Sequence, residues 1–144
     1  MNDDAGRQFV DTNILVYAHD AVAGPKHDTA KALLQDLWNS RWGCLSIQML
    51  QEFYVTVTQK VAMPYSAIEA ANIIEDFAAW RIHAPTVSDV LAAIDLQNRY
   101  QLSFWDAMML QSAGSLGCTV VWTEDLNHGQ MINQVLIQNP FQQA

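Results

Sequence analysis

Two short apolar runs in this chain each lead into a carboxylate, and that pairing constrains the fold more than any other feature. Gln8-Phe9-Val10 runs into Asp11-Thr12-Asn13, and Thr119-Val120-Val121-Trp122 is followed at close range by Asp125. The first run reads as a strand, and Asp11-Thr12-Asn13 as the turn and N-cap of a short helix through Ile14-Leu15-Val16-Tyr17. The β-branched and aromatic residues 119–122 read as a late strand. After Gly24-Pro25, apolar Ala30, Leu33, Leu34, Leu37 and Trp38 recur at helical spacing, which predicts a helix of about three turns that stops before Gly43. Cys44-Leu45-Ser46-Ile47 reads as a strand, followed by a helix whose stripe is Leu50, Phe53, Tyr54 and Val57, with Glu52 on a different side. Ser66 and Glu69 have capping-box spacing and open a helix through Ile73, Ile74 and Phe77; Trp80-Arg81-Ile82-His83 reads as a short strand. Ser88, with Leu91, Ile94 and Leu96, starts another helix. Ser103 and Asp106 again have capping-box spacing, at the head of a helix through Ala113 that Gly114 and Gly117 end.

Strands that alternate with helices pair in parallel through crossovers, so the expected class is α/β, a three-layer α/β/α sandwich with a mainly parallel central sheet. One domain is expected over 1–144, with the polar residues 1–7 as a flexible tail, because no repeat, low-complexity tract or linker divides the chain. Ligands collect at the carboxyl ends of strands in such sheets. That rule puts Asp11 and Asp125 on the same rim.

Composition removes several function classes. With 51% hydrophobic and 15% charged residues the chain is not disordered. Its 15 acids outnumber 7 bases for a net charge of −8, so nucleic-acid affinity cannot rest on a broad basic surface. Cys44 and Cys118 form no C-x-x-C pair and read as two buried thiols, with neither a zinc knuckle nor a disulfide framework. No apolar run approaches the ~20 residues that cross a bilayer, and the first residues lack the cationic start of a secretory signal, which points to the cytoplasm. His19, His27, His83 and His128 show no metal-ligand spacing. Neither G-x-S-x-G, G-x-G-x-x-G nor a P-loop occurs.

The remaining chemistry is in carboxylates set against apolar neighbours: Asp11 after Phe9-Val10, Glu52 before Phe53-Tyr54, Asp106 after Phe104-Trp105, and Asp125 before Leu126. An isolated charge in such a setting is costly, and several carboxylates brought together stay ionised only if a cation holds them. Oxygen-only donors suit Mg2+ or Mn2+. Asn13 and the hydroxyl of Thr123 are placed to orient a carboxylate or a bound water. Taken one at a time, Asp11 also reads as a plain helix cap and Asp106 as a carboxylate favoured by a helix dipole.

The segments Phe9 to Tyr17, Ser46-Ile47-Gln48 with Gln51-Glu52-Phe53-Tyr54, Ser103 to Ala107, and Trp122-Thr123-Glu124-Asp125-Leu126 resemble, in order and spacing, a PIN domain of the VapC toxin type. The resemblance covers nearly the whole chain. It implies a metal-dependent ribonuclease that hydrolyses RNA phosphodiester bonds with Mg2+ or Mn2+, the toxin of a type II toxin–antitoxin pair, neutralised by a small antitoxin and commonly a homodimer. Carried onto this chain, it makes Asp11, Glu52, Asp106 and Asp125 the metal-ligating and catalytic acids, with Asn13 and Thr123 in support. The Thr-x-Asp spacing selects Asp125 over its neighbour Glu124, which is then expected to be solvated. The competing reading is a non-catalytic PIN-like module that binds protein or RNA. An aspartyl-phosphate chemistry is disfavoured, since no second acid stands two residues after Asp11.

Overall fold

The computed structural model describes residues 6–142. The chain runs β1 (Gln8–Val10), α1 (Thr12–Ala18), α2 (Pro25–Ser40), β2 (Gly43–Ser46), α3 (Ile47–Gln59), α4 (Ala67–Phe77), β3 (Arg81–His83), α5 (Val87–Tyr100), α6 (Phe104–Ser115), β4 (Val120–Trp122), β5 (Met131–Ile132) and β6 (Val135–Gln138). The sheet order is β3-β2-β1-β4-β6-β5. Every pairing is parallel except that of β5 with β6. Helices α1 to α4 form one layer, and α6, with α5 packed on it, lies against β2, β4 and β6 as the other. The expected three-layer sandwich is therefore the observed fold.

Strands β1, β2 and β3 are added in one direction, and the chain then returns across the sheet to lay β4 on the opposite side of β1. The order reverses between β1 and β4: α1 leaves β1 into one layer of helices, while α6, in the other layer, leads into β4. That leaves a crevice at their carboxyl ends. Phe9, Val10, Leu45, Val121 and Ile137 fill the sheet's interior positions at 0% exposure, and Ile14, Leu15, Met49, Phe53 and Leu110 cover them from the helices. Burying side chains of this size stabilises the fold by about 1.5–3 kcal/mol each relative to exposure. It also fixes the ends of β1 and β4 in place.

Several local expectations shift in the structure. Ile47 is the first residue of α3 rather than the last of a strand, because the Ser46 hydroxyl accepts from the Met49 N–H and caps the helix there. Helix α5 starts one residue before Ser88: Thr86 and Asp89 form the capping box. Helix α2 extends over 16 residues, longer than its apolar spacing indicates. Trp80 precedes β3 and packs on Gly43 instead of joining the strand. The Ser66–Glu69 capping box is present with both bonds. Ser103 caps α6, accepting from the Asp106 N–H, without a return bond from the Asp106 side chain to the Ser103 N–H. The β5–β6 hairpin has no counterpart in the sequence reading, because its turn residues Asn133 (φ 51) and Gln134 (φ 69) adopt left-handed conformations without the usual glycine. Of the expected tail, residues 1–5 lie outside the described residues. Arg7 is held: its carbonyl accepts from the Thr119 N–H at 2.9 Å, and its guanidinium donates to the Leu116 carbonyl at 2.8 Å.

Cys44 and Cys118 are free and buried, as expected. Among the described residues no helix is long and apolar enough to cross a membrane.

Gly43 is required by its neighbour. A Cβ at this position would stand 2.6 Å from the Trp80 ring, which lies against the β2 backbone. Gly43→Ala is expected to cost about 1–3 kcal/mol through overpacking, read as a lower denaturation midpoint at unchanged m-value.

Candidate active site

Asp11, Thr12 and Asn13 leave the end of β1, Asp125 follows β4, Asp106 stands in the first turn of α6, and Glu52 lies on α3. These side chains line one cavity of about 250 Å³, together with Gln48, Met49, Thr56, Trp105 and Met109. All four acids singled out in the sequence thus meet at the crevice between β1 and β4, and Asn13 meets them there. Thr123 sits beneath, fully buried.

Asp11 is the most constrained of the group. Its backbone takes an extended conformation at the N-cap of α1, and the Thr12 N–H donates to Oδ1 at 2.7 Å. The Thr123 hydroxyl donates to Oδ2 at 2.7 Å and accepts the Asp125 N–H at 3.1 Å. One threonine oxygen therefore ties the end of β1 to the loop after β4. On the other side, the Asn13 amide donates to Asp125 Oδ2 at 3.3 Å. Glu52 is held from one helical turn away by the Gln48 amide at 3.1 Å, and the Thr12 hydroxyl reaches Met49 Sδ at 3.1 Å, locking α1 to α3. Asp106 has its backbone N–H on Ser103 Oγ, and its carboxylate is left for the cavity.

Burial dominates the electrostatics. Asp11 is only 8% exposed, and burial pushes its carboxyl from 3.8 up to about 7. Thr123 and the Thr12 N–H pull the other way, while the charges of Asp125 and Asp106 add to the rise. Asp106 is also raised, first by burial and then by Asp125, against the pull of Ser103. Three carboxylates therefore repel one another in a partly desolvated space, and positive charge entering it would let them ionise together. The donors are oxygens alone, which suits a hard divalent cation. Among the described residues no three His, Cys, Asp or Glu side chains already converge with ligand geometry. A cation such as Mg2+ takes one or two carboxylates and fills its remaining positions with water or phosphate, so this looser arrangement fits one.

Glu124 departs from the expectation that it is solvated. Its carboxylate accepts from the Tyr17 hydroxyl at 2.6 Å and from Lys26 at 2.8 Å, and Lys26 also sits 5.0 Å from the Tyr17 ring centre. This cluster anchors the residue next to Asp125 to α1 and α2. Tyr17 and Lys26 are separated by 98 and more positions from Glu124, and no local signal joins them. Thr56 has no sequence signal as a site residue; Gln48 lies in one of the segments that carry the resemblance, and its role becomes legible only once Glu52, four positions on, is placed. His128 stays outside the cavity, its Nδ1 accepting from the Asn139 N–H at 3.0 Å.

The PIN domain family model matches residues 9–131. No curated protein sequence matches the chain. Among solved structures, the chain is similar to a toxin–antitoxin complex from Klebsiella pneumoniae at 18% identity and TM-score 0.68, covering 93% of this chain and 98% of that one. It is similar to the Mycobacterium tuberculosis VapC20 toxin, described as cleaving the sarcin–ricin loop, at 23% identity and TM-score 0.62, covering 79% and 86%. The structure of FitAB bound to a DNA fragment matches at 16% identity and TM-score 0.71, covering 95% and 97%.

The raised Asp11 carboxyl makes stability depend on pH with a definite sign. In metal-free protein the folded state keeps this proton up to about pH 7 while the unfolded chain releases it near 3.8, so stability is greatest below pH 4 as far as this group is concerned and falls as pH rises to 7. The full loss is ~4 kcal/mol. In EDTA, Asp11→Asn is expected to remove that slope and exceed the wild type in stability at pH 8, measured by urea denaturation across the pH range. Parallel curves for the two proteins would show that Asp11 is not the group that titrates.

Proposed function

Because the chain belongs to the PIN domain family, we propose that it is a metal-dependent endoribonuclease of the VapC kind, the toxin member of a toxin–antitoxin pair. The observation that carries this reading is the meeting of Asp11, Glu52, Asp106 and Asp125, from four separate elements, in one cavity at the carboxyl ends of β1 and β4. Asp11, Asp106 and Glu52 would hold Mg2+ or Mn2+, with Asp125 completing the set. When bound, the ion supplies Lewis acidity, making water nucleophilic near neutral pH and balancing charge on the scissile phosphodiester.

The chain's own residues set the geometry. Thr123 fixes the orientation of Asp11, and Asn13 holds the Asp125 carboxylate against the α1 N-terminus. Trp105, 63% exposed beside Asp106, offers a flat face at the cavity mouth on which an RNA base can stack. The net charge of −8 leaves little long-range attraction for RNA, so substrate affinity is concentrated at the ion and a few local contacts.

The toxin–antitoxin complexes among its structural relatives support a small antitoxin as the partner that silences it. Val87, Val90, Leu91 and Ile94 form an exposed apolar stripe on α5, which a second copy would cover in a homodimer.

A ribonuclease assay with Mn2+ on a structured RNA tests the reading. Wild type is expected to cut, EDTA to stop it, and Asp11→Asn or Asp106→Asn to lower the rate more than about 100-fold; Thr123→Val, which removes only the hydroxyl that orients Asp11, is expected to lose about 10–100-fold. Cleavage that survives both EDTA and Asp11→Asn would overturn it.

A further inference from the structure

At the amino ends of β2 and β3, on the rim opposite the carboxylates, a second cavity of about 630 Å³ is lined by Trp38, Arg41, Gly43, Ala79, Trp80 and Arg81. Its chemistry is the reverse of the acidic site. Among the described residues Arg7, Arg41 and Arg81 form no ion pair with a carboxylate, in a chain where 15 acids face 7 bases. Arg81 spends one N–H on the Arg41 carbonyl at 3.0 Å and lies over the Trp42 ring at 5.9 Å, which orients its guanidinium and leaves its other donors open. Arg41 takes a left-handed conformation (φ 65) that ends α2 at the cavity.

The walls are aromatic. The Trp80 ring lies against Gly43, where any side chain would collide with it, and Trp38 meets it edge-on at 5.4 Å while remaining 36% exposed. The Trp80 indole N–H is buried with no acceptor among the described residues, an unsatisfied donor within the cavity wall. Guanidinium groups bind phosphate through paired N–H donors, and indole faces stack on nucleobases; each preference is weak alone and selective in combination.

We propose that this cavity binds a nucleotide unit, an aromatic base together with its phosphate, either free or as one residue of a single-stranded RNA. The phosphate is taken by Arg41 and Arg81, and the base stacks on Trp38. The site is separate from the carboxylate cavity and needs no divalent cation, so its fate is independent of whether the protein cleaves RNA.

The test is calorimetric titration in EDTA with adenosine monophosphate, adenosine, inorganic phosphate and a single-stranded hexaribonucleotide, with tryptophan fluorescence as a second readout. Adenosine monophosphate or the hexamer is expected to bind wild type and Asp11→Asn equally, and to bind the Arg41→Ala/Arg81→Ala double variant about tenfold or more weakly. Trp38→Ala is expected to reduce the nucleotide to the affinity of inorganic phosphate. Should the alanine variant fail to fold, Arg41→Lys/Arg81→Lys keeps the charge and is still expected to weaken binding by removing the paired donors. Tighter binding of the hexamer identifies RNA as the source, and binding of the mononucleotide alone identifies a free nucleotide. The proposal is overturned if neither probe binds, if binding is indifferent to the arginine substitutions in folded protein, or if Asp11→Asn abolishes it.

Discussion

A carboxylate buried at the end of a strand with, among the described residues, only a backbone N–H and one hydroxyl for partners is the constraint around which this molecule is organised. Asp11 cannot be moved outward, because Val10 before it and Ile14 and Leu15 after it are fully buried in the sheet and its helical cover. Nor does any base among the described residues pair with it; the Thr123 hydroxyl, itself inaccessible, stands opposite it. Thr123 in turn holds the backbone of Asp125. The position of one acid therefore dictates that of the next, and both follow from the reversal of strand order between β1 and β4. A fold that gathers like charges in this way destabilises itself locally, and such an arrangement persists where a cation or substrate completes it.

The surrounding contacts serve that arrangement from several directions. Thr12 ties α1 to Met49 on α3, the helix that also carries Glu52. Tyr17 and Lys26 grip Glu124, one residue before Asp125, so the loop after β4 is fastened on both sides of the site. Ser103 caps α6 and sets the turn from which Asp106 projects. Rigid placement of this kind lowers the reorganisation needed when a charged ligand arrives. The opposite rim of the sheet has the complementary character, with arginines and indoles in place of carboxylates.

Much of this was legible in the sequence because the deciding interactions are local. The strand Gln8–Val10, the cap at Asp11, the box at Ser66 and Glu69, and the Ser103 cap all depend on residues within a few positions of one another. Alternation of strands with helices then implied the parallel sheet, and the strand-end rule placed Asp11 and Asp125 on a common rim. The convergence of Glu52 and Asp106 on that rim followed from resemblance to a family, since no spacing rule joins positions so far apart. What escaped the reading was either a competition between neighbouring caps or a contact across long separations. Ser46 takes Ile47 into a helix although its side chain suits a strand; Thr86 outcompetes Ser88. Asn133 and Gln134 make a hairpin turn without glycine, and Glu124 finds partners only because the fold brings α1 and α2 beside the loop after β4.

The acids lining the β1–β4 crevice are proposed to form a divalent cation site. Anomalous X-ray scattering from crystals grown with Mn2+ tests it most directly. A manganese peak inside the cavity, in contact with Asp11 and Asp106, is the expected result. Manganese found only at the surface, with the four carboxylates unchanged around an empty crevice, would contradict it.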